Sequence, residues 1–373
     1  MRAVTWSAYG EMPTVSELPP PDCPDDGVVV RVGATGVCRS DWHAWLGHDP
    51  VPFFPWVPGH ELAGTVEQVG PEVRQWSAGD RVTVPFACGC GRCEYCASGD
   101  TQVCPNQTQP GFSHHGSFAD LVALHAADTN LVRLPDGLSF VDAASLGCRF
   151  ATAYRAVAHR GRAEAGEWLV VHGCGGVGLS AVMVAVALGV QVVAVDVSGP
   201  ALAAARGLGA VATIDAGGLT PAEVAAAVQA VTDGGAHVSL DALGGTATMT
   251  SSIGSLRRHG RHVQVGLMLG DSAVAPVPMG RALAEELEIV GSHGMPATDY
   301  PEMLALVASG RLDVRRLVGR VIGLDDAPAA LAAMSEPAAM SGMTVVDLGH
   351  GATRDLRHAG GFAPPVQNRG SRR

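Results

Sequence analysis

The sequence predicts an α/β protein in which a mostly β lobe precedes a doubly wound parallel sheet. In residues 1–150, short β-prone runs such as Val28–Val32, Ala63–Val69 and Arg81–Pro85 are separated by glycine and proline. From about residue 151 to residue 291, strand-like and helix-like segments alternate, which is the pattern of a parallel sheet covered by helices. The length of 373 residues fits about two domains.

The second lobe contains a complete dinucleotide-binding pattern. The apolar run Trp168–His172 reads as a strand, and it leads into the glycine-rich segment Gly173-Cys174-Gly175-Gly176-Val177-Gly178. A helical segment, Leu179–Leu188, and a second strand, Gln191–Val195, follow. In such a motif Gly173 allows the tight turn, Gly175 lets the backbone approach a pyrophosphate, and Gly178 lets helix and strand pack closely. The helix N-terminus then faces the phosphates.

An acidic residue at the end of the second strand indicates which coenzyme is bound. Asp196 stands eighteen positions after Gly178, and no arginine follows it until Arg206. A carboxylate at this place accepts hydrogen bonds from both hydroxyls of the adenosine ribose, whereas a 2′-phosphate would meet it with like charge. The sequence therefore favours NAD over NADP.

Further elements complete the predicted parallel sheet. The expected strands are Val192–Val195, Val238–Asp241, His262–Leu267 and Glu288–Val290, and the expected helices are Ala201–Gly207 and Pro221–Val231. We expect the chain to return to the first lobe over residues 292–348. Residues 349–373 are rich in glycine, arginine and proline without periodicity, and we expect them to be disordered. The uncharged stretch 173–190 has the length of a membrane helix, but its glycines and flanking strands argue against one.

Four cysteines are the strongest local signal in the chain. Cys90, Cys93, Cys96 and Cys104 have the spacing C-x2-C-x2-C-x7-C. Four thiolates at such a spacing can surround one tetrahedral metal, the usual geometry of a structural zinc site. One or two disulfides are the weaker interpretation, because the cysteine usage of the chain indicates a reducing compartment, where disulfides are rare.

A second set of metal-binding residue types is scattered along the chain. Cys38, His60 and Cys148 would supply two thiolates and one imidazole. That set leaves the fourth tetrahedral position for water or substrate, as a catalytic zinc requires. Each residue alone is weak evidence, because a lone cysteine is more often a small apolar core residue.

Composition excludes several classes of function. The formal net charge is −11, so a nucleic-acid or anionic-membrane surface is not expected. All 25 basic residues are arginine, which removes lysine Schiff-base chemistry. Six of the nine cysteines are candidate ligands, which leaves three free thiols, a pattern that fits a reducing cytoplasm. The first residues, MRAVTWSAYGEMP, contain no signal-peptide pattern.

At Gly59–Val73, GHELAGTVEQVGPEV, the chain resembles the zinc-dependent medium-chain alcohol dehydrogenases, and the resemblance covers about residues 1–348. It implies a GroES-like catalytic domain at 1–150 with 292–348, and a Rossmann NAD-binding domain at 151–291. It also implies that Cys38, His60 and Cys148 bind a catalytic zinc. Polyol dehydrogenases of this superfamily usually have glutamate where Cys148 stands, so the cysteine favours the alcohol/aldehyde branch.

The same resemblance assigns roles to other residues. Glu61 looks like a carboxylate that can approach the metal during ligand exchange, and Asp41 like the partner that orients His60. Ser40 and His43 look like a proton relay from the alcohol, through the nicotinamide ribose, to water. Coenzyme contacts are implied for Arg39, Thr152, Gly173, Gly175, Gly176, Val177, Gly178, Asp196 and Gly266. The family suggests a homo-oligomer, either a dimer or a tetramer, but it gives no role to Arg149 and usually has a lysine near Ala201.

Two other interpretations are compatible with parts of the sequence. One is a quinone or enoyl reductase of the same superfamily with an altered zinc site; such proteins lack the cysteine and histidine ligands. The other is a non-catalytic zinc-ribbon protein.

Aromatic residues near the expected cleft suggest an apolar substrate channel, although half of them could be core residues: Trp42, Trp45, Phe53, Phe54, Trp56 and Phe86.

Overall fold

A computed structural model of the chain describes residues 1–336 and 342–349. The tail predicted to be disordered lies outside the described residues, except for Gly349. Within the described ranges, no helix combines the length and the apolar character that a membrane crossing requires.

The strands fall into two groups along the chain. The first group, together with the last two strands, is β1 Arg2–Thr5, β2 Thr14–Glu17, β3 Val28–Val37, β4 Glu61–Val69, β5 Arg81–Thr83, β6 Leu121–Leu124, β7 Val132–Arg133, β14 Val318–Ile322 and β15 Met343–Asp347. The second group is β8 Trp168–His172, β9 Gln191–Asp196, β10 Ala212–Asp215, β11 Ala236–Asp241, β12 Leu256–Gln264 and β13 Glu288–Gly291.

Twelve α-helices lie within the described residues. They are α1 Arg39–Trp45, α2 Glu94–Ala97, α3 Ala127–Asn130, α4 Phe140–Ala144, α5 Ala151–Tyr154, α6 Gly176–Ala187, α7 Gly199–Leu208, α8 Pro221–Val231, α9 Thr246–Gly254, α10 Met279–Glu285, α11 Tyr300–Ala308 and α12 Ala327–Ala332. Two π-helical segments, Leu146–Phe150 and Arg155–Arg160, flank α5.

The second group forms one parallel sheet, as the sequence predicts. Its strand order is β10-β9-β8-β11-β12-β13, and each neighbouring pair is parallel. This is the doubly wound arrangement in which the order reverses between β8 and β11. Ligands of such sheets bind at the carboxyl ends of the strands beside that reversal, so the glycine-rich segment after β8 lies at the expected crevice.

Seven strands of the first group form a largely antiparallel sheet of order β14-β15-β3-β4-β5-β7, with β6 paired to β3, while β1 and β2 form a separate two-stranded antiparallel sheet. The long strand β3 is its centre, because it pairs with β4, β6 and β15. Its last residue, Val37, immediately precedes Cys38, and β4 begins at Glu61, immediately after His60. Two neighbouring strands therefore bring these candidate ligands close together.

Two predicted strand ends need correction. The strand predicted to reach Leu267 ends at Gln264, because the N–H groups of Val265 and Gly266 both turn back to the carbonyl of Asp241. The strand predicted to reach Pro85 ends at Thr83, and proline has no N–H to continue a ladder.

Candidate metal and coenzyme site

Asp41 connects two of the candidate metal ligands. It lies in the first turn of α1, where its Oδ2 accepts a hydrogen bond from the N–H of Cys38 at 3.0 Å. Its Oδ1 lies 3.0 Å from Nδ1 of His60 and also accepts from the N–H of Gly59. A carboxylate in this position fixes the imidazole so that Nε2 points away from Asp41.

The third candidate ligand comes from a different part of the fold. Cys148 lies on the π-helical segment Leu146–Phe150, and the carbonyl of Gly147 accepts a hydrogen bond from the Tyr300 hydroxyl at 3.2 Å. Single π turns inside helices often occur at functional sites, because they displace one side chain from the helical register. Here the displaced region carries both Cys148 and Arg149.

The three ligand candidates form one cluster that fits a metal ion. One ligand atom from each of Cys38, His60, Glu61 and Cys148 lies within 4.8 Å of the others. Nε2 of His60 is buried and has no hydrogen-bond partner among the described residues. A buried imidazole nitrogen without a partner is costly unless a ligand occupies its direction. Two thiolates and one imidazole are a donor set that zinc accepts.

The electrostatics of the cluster also favour a cation. A hydrogen bond from the Cys148 thiol holds the pKa of Cys38 well below its usual range. Burial alone would lower the pKa of His60, but Asp41 and the Cys38 sulfur outweigh it and raise that pKa well above its usual range. The negative groups that favour a proton on the imidazole would equally favour a metal ion.

Glu61 and Arg149 form a buried ion pair beside the cluster. The Glu61 carboxylate is fully buried, and the Arg149 side chain is 8% exposed. Nε of Arg149 donates to both carboxylate oxygens at 2.9 and 3.1 Å, Nη2 donates to Oε2, and the Arg149 N–H donates to Oε1 at 3.0 Å. Burial raises the pKa of Glu61, and Arg149 opposes that rise. The pairing balances a charge that would otherwise be costly to bury.

Of the two predicted relay residues, Ser40 lies beside the cluster and His43 lies next to another histidine. The Ser40 hydroxyl oxygen is 3.8 Å from Cys38 Sγ. His43 is half-buried, and its Nδ1 lies 3.0 Å from Nδ1 of the exposed His48. Desolvation, followed by the charges of His48 and Arg39, lowers the pKa of His43. The neutral form of His43 is thus favoured, and a neutral imidazole can accept a proton.

The aromatic residues divide between cleft and core. Trp45 and Trp56 are buried in the core of the first lobe. Phe86 contacts the cluster, with its ring centroid 6.3 Å from that of His60, and Phe112 lies at 5.3 Å from the same imidazole. Phe53 and Phe54 are 48% and 40% exposed, and Trp42 donates its indole N–H to Ser335. Two of the six predicted channel residues are therefore core residues.

The glycine-rich segment has the close packing that the motif predicts. Gly173 has a φ of +91°, and a Cβ on Gly178 would lie 1.7 Å from the carbonyl oxygen of Gly173. Helix α6 begins at Gly176, while Gly175 is exposed. The free N–H groups at the start of α6 therefore face the crevice.

Asp196 ends β9 beside this segment. Its Oδ2 accepts a hydrogen bond from the N–H of Cys174 at 2.6 Å, and its Oδ1 accepts from the N–H of Ser198 at 2.8 Å. Each oxygen keeps further acceptor capacity, so the carboxylate is oriented and can still accept hydrogen bonds from a ligand.

The other predicted coenzyme residues occupy varied positions. Thr152 is buried, and its hydroxyl has no partner among the described residues. Gly266 packs against the backbone of Gly244, and Val177 is half-buried in the first turn of α6. Arg39 is exposed; it donates to the Met334 carbonyl, and its guanidinium lies 4.8 Å from the Trp42 ring centroid.

The four-cysteine lobe is a separate cluster. Cys90, Cys93, Cys96 and Cys104 come together, with Cys93 Sγ at 3.5 and 3.6 Å from the sulfurs of Cys96 and Cys104. Tetrahedral thiolates at the usual zinc distance are about 3.8 Å apart, whereas a disulfide needs about 2.05 Å. All nine cysteines are unpaired, so the geometry fits a metal rather than disulfides.

Three features of the site were not assigned from the sequence. The Glu61–Arg149 pair joins residues 88 positions apart. Its only indication in the sequence was a charged residue, Arg149, directly after the candidate ligand Cys148. Phe112 and His48 gave no signal, since neither belongs to a motif.

Comparisons with known proteins agree with this geometry. Residues 24–136 match the family described as the alcohol dehydrogenase GroES-like domain, and residues 176–309 match the zinc-binding dehydrogenase family. An alcohol dehydrogenase of Geobacillus stearothermophilus is 36% identical over 316 residues, which is 84% of this chain and 90% of that protein.

Two solved structures illustrate the likeness of the folds. The alcohol dehydrogenase TADH from Thermus sp. ATN1 is 31% identical with a TM-score of 0.84, covering 93% of this chain and 100% of that one. A putative zinc-binding dehydrogenase from Sinorhizobium meliloti 1021, bound to NADP, is 27% identical with a TM-score of 0.81 and covers 93% and 99%.

Proposed function

The chain belongs to the zinc-type medium-chain alcohol dehydrogenase family, and we propose that it transfers a hydride between an alcohol and NAD with two zinc ions bound per chain. The family makes it an oxidoreductase of the alcohol dehydrogenase type. The identity of the metal, the count of two ions and the choice of NAD are our proposals from the site.

One observation carries the proposal of a catalytic metal. Nε2 of the buried His60 has no partner among the described residues, and it lies with the sulfurs of Cys38 and Cys148 in a single cluster. Three ligands leave a fourth position open to substrate, whereas the four-cysteine lobe is a closed set. Both alternatives are disfavoured, because a zinc-free reductase lacks these ligands and a zinc-ribbon protein needs no dinucleotide motif.

The chemistry divides between the bound groups and the chain. Zinc supplies Lewis-acid polarisation of the substrate oxygen, and NAD supplies the ring that exchanges hydride. Asp41 orients His60, and the Phe86 and Phe112 rings exclude water from that imidazole. The Ser40 hydroxyl would relay the alcohol proton, accepting it while donating its own proton toward the ribose of the coenzyme, and His43 would hold the proton before it passes to His48 and solvent. The substrate is a small alcohol or the corresponding aldehyde or ketone.

The preference for NAD rests on Asp196. Its carboxylate is oriented at the end of β9 by two backbone N–H groups, at the place where ribose hydroxyls bind in this fold. A structural relative holds NADP, so coenzymes differ among similar folds and the local charge must decide. Because the carboxylate would repel a 2′-phosphate, it supports NAD here.

An initial-rate screen tests the proposed activity. Primary aliphatic, benzylic and terpenoid alcohols would each be offered with NAD and with NADP, and absorbance of the reduced coenzyme would be followed. We expect turnover with at least one alcohol and a kcat/KM that is much higher with NAD. Equal kcat/KM values with NADP would overturn the coenzyme assignment.

The Asp196→Gly variant sharpens this test. Each hydrogen bond from a ribose hydroxyl to the carboxylate is worth roughly 1.5–3 kcal/mol, so the loss of both should lower kcat/KM with NAD by about 100-fold or more. The ratio of the two coenzymes should move toward NADP, without reaching the wild-type rate. Asp215→Gly, at the end of the neighbouring strand β10, serves as the control and should leave the ratio unchanged.

A further inference from the structure

Arg149 is the one charged residue of the site for which the family gives no role, and its surroundings suggest one. Its Nε and Nη2 atoms donate hydrogen bonds to the carboxylate of Glu61. Its third nitrogen, Nη1, makes no hydrogen bond to any residue in the ranges 1–336 and 342–349. A guanidinium that is 8% exposed with one unused donor group is a ready partner for an anion.

The position of the side chain indicates which anion. The Arg149 stem lies against the glycine-rich segment: a Cβ on Gly176 would be 2.5 Å from Arg149 Cδ. Gly176 is the first residue of α6, where the free N–H groups of the helix meet the phosphates of a dinucleotide. Arg149 thus stands between the helix start and the metal cluster.

The charges of the cluster show what else the arginine does. Cys38, Cys148, Glu61 and Asp41 bring up to four negative charges to the metal position, and Arg149 is the cation that pairs with Glu61. Without the guanidinium, the nearest compensating charge for the Glu61 carboxylate would be the metal itself. The carboxylate would then compete for the fourth metal position, which the substrate oxygen needs.

From these contacts we propose that Arg149 binds the coenzyme pyrophosphate through Nη1 while it holds Glu61 away from the catalytic metal. One guanidinium then links the coenzyme to the metal centre. Arg149 is a coenzyme contact and a positioning residue for Glu61. The inference rests on the proposed function, since it requires a dinucleotide coenzyme and a metal bound to Cys38, His60 and Cys148.

The coenzyme contact is tested by binding to the zinc-loaded full chain. Arg149→Met should weaken NADH and ADP-ribose about tenfold or more, the cost of a lost charge-assisted hydrogen bond, and should leave adenosine binding unchanged. Arg149→Lys keeps the charge and should give an intermediate loss. Arg155→Met is the matched control, since that arginine pairs with Asp100 and Asp299, and it should bind NADH as the wild type does.

The positioning role is tested by the rate at which a chelator removes zinc from the catalytic site. Arg149→Met should release this zinc several-fold faster, because the freed Glu61 carboxylate assists ligand exchange. Adding Glu61→Gln should return the rate to that of the wild type. A purely structural role for Arg149 predicts fast release in both variants, and that result would overturn the positioning part.

The outcomes separate the two proposals. If the wild type binds no NADH, the proposed coenzyme fails and this inference fails with it. If the wild type binds NADH and both Arg149→Met and Arg149→Lys bind it equally well, only the inference is overturned.

Discussion

The two cysteine clusters differ in how they are built. The four-cysteine lobe takes all its sulfurs from fifteen consecutive residues, and three of the four cysteines are partly exposed. The second cluster takes its donors from residues 38, 60 and 148, and buries Cys38 and His60 among charged partners. A local cluster needs only its own loop, whereas the distributed one needs two strands, a π turn, Asp41 and Arg149. The first is therefore suited to stabilise the fold and the second to perform chemistry.

The largest expected effect comes from breaking the distributed cluster. Cys148→Ser replaces a thiolate by a hydroxyl that binds zinc poorly, so turnover should fall below detection while one zinc per chain and the melting temperature are retained. Metal analysis and steady-state rates measure both. Two zincs and a normal rate in this variant would show that Cys148 is not a ligand.

Breaking the local cluster should have the opposite profile. Cys93→Ser should lose the structural zinc and destabilise the lobe by several kcal/mol, because metal binding to such a site contributes directly to folding free energy. Thermal denaturation would show a lower Tm and poorer solubility. Cys23→Ser, at a half-buried free thiol, is the control for removing a sulfur. An unchanged Tm for Cys93→Ser would contradict the structural assignment.

A smaller effect distinguishes the clusters by their hydrogen-bonding partners. In Asp41→Asn, one oxygen of the carboxylate becomes an amide NH₂, which donates instead of accepting. This NH₂ would face another donor, either the N–H of Cys38 or the groups of Gly59 and His60 that donate to the carboxylate in the wild type. Zinc affinity at the distributed cluster should fall about 10- to 100-fold, while the local cluster keeps its metal. Chelator titration resolves the two sites. Asp49→Asn, on an exposed neighbouring residue, should change neither.

The smallest expected effect concerns His172, a buried histidine outside both clusters. Its pKa is shifted downward, whereas that of His60 is shifted upward. Burial lowers the pKa of His172 to about 4, with Asp241 opposing and His262 adding to the shift, and two serine hydroxyls lie near its ring. Since the unfolded state titrates near 6.5, it binds more protons between pH 6.5 and pH 4, so folding stability falls as the pH drops through this window.

From pH 7 to pH 5, this histidine should cost about 2 kcal/mol of folding stability. His172→Gln removes the titration, so its free energy of unfolding should fall less than that of the wild type over the same range. His259→Gln, at a histidine whose side chain is 74% exposed, should lose as much stability as the wild type does. Parallel curves for the wild type and His172→Gln would refute the shift.

The fold was largely predictable because its signals are local. Strand β8 and helix α8 have the bounds that the sequence predicts, since apolar runs and a Thr220–Glu223 capping box define them. The spacing of the four cysteines likewise identified a cluster that the structure brings together.

Contacts between distant segments were not predictable. The Glu61–Arg149 pair depends on the register of β4 against a π turn, and the burial of Trp45 and Trp56 depends on packing from several elements. The end of β12 is set by hydrogen bonds to Asp241 in another strand. Residue types along one chain do not encode such contacts in a simple period.

Counting zinc in the purified full chain tests the central claim most directly. Native mass spectrometry should find two zinc ions per chain, one for each cluster, and one per chain in Cys148→Ser. A single zinc in the wild type would mean that only the four-cysteine lobe binds metal. The absence of zinc would leave both clusters without their proposed metal, and either result would contradict a zinc-dependent alcohol dehydrogenase.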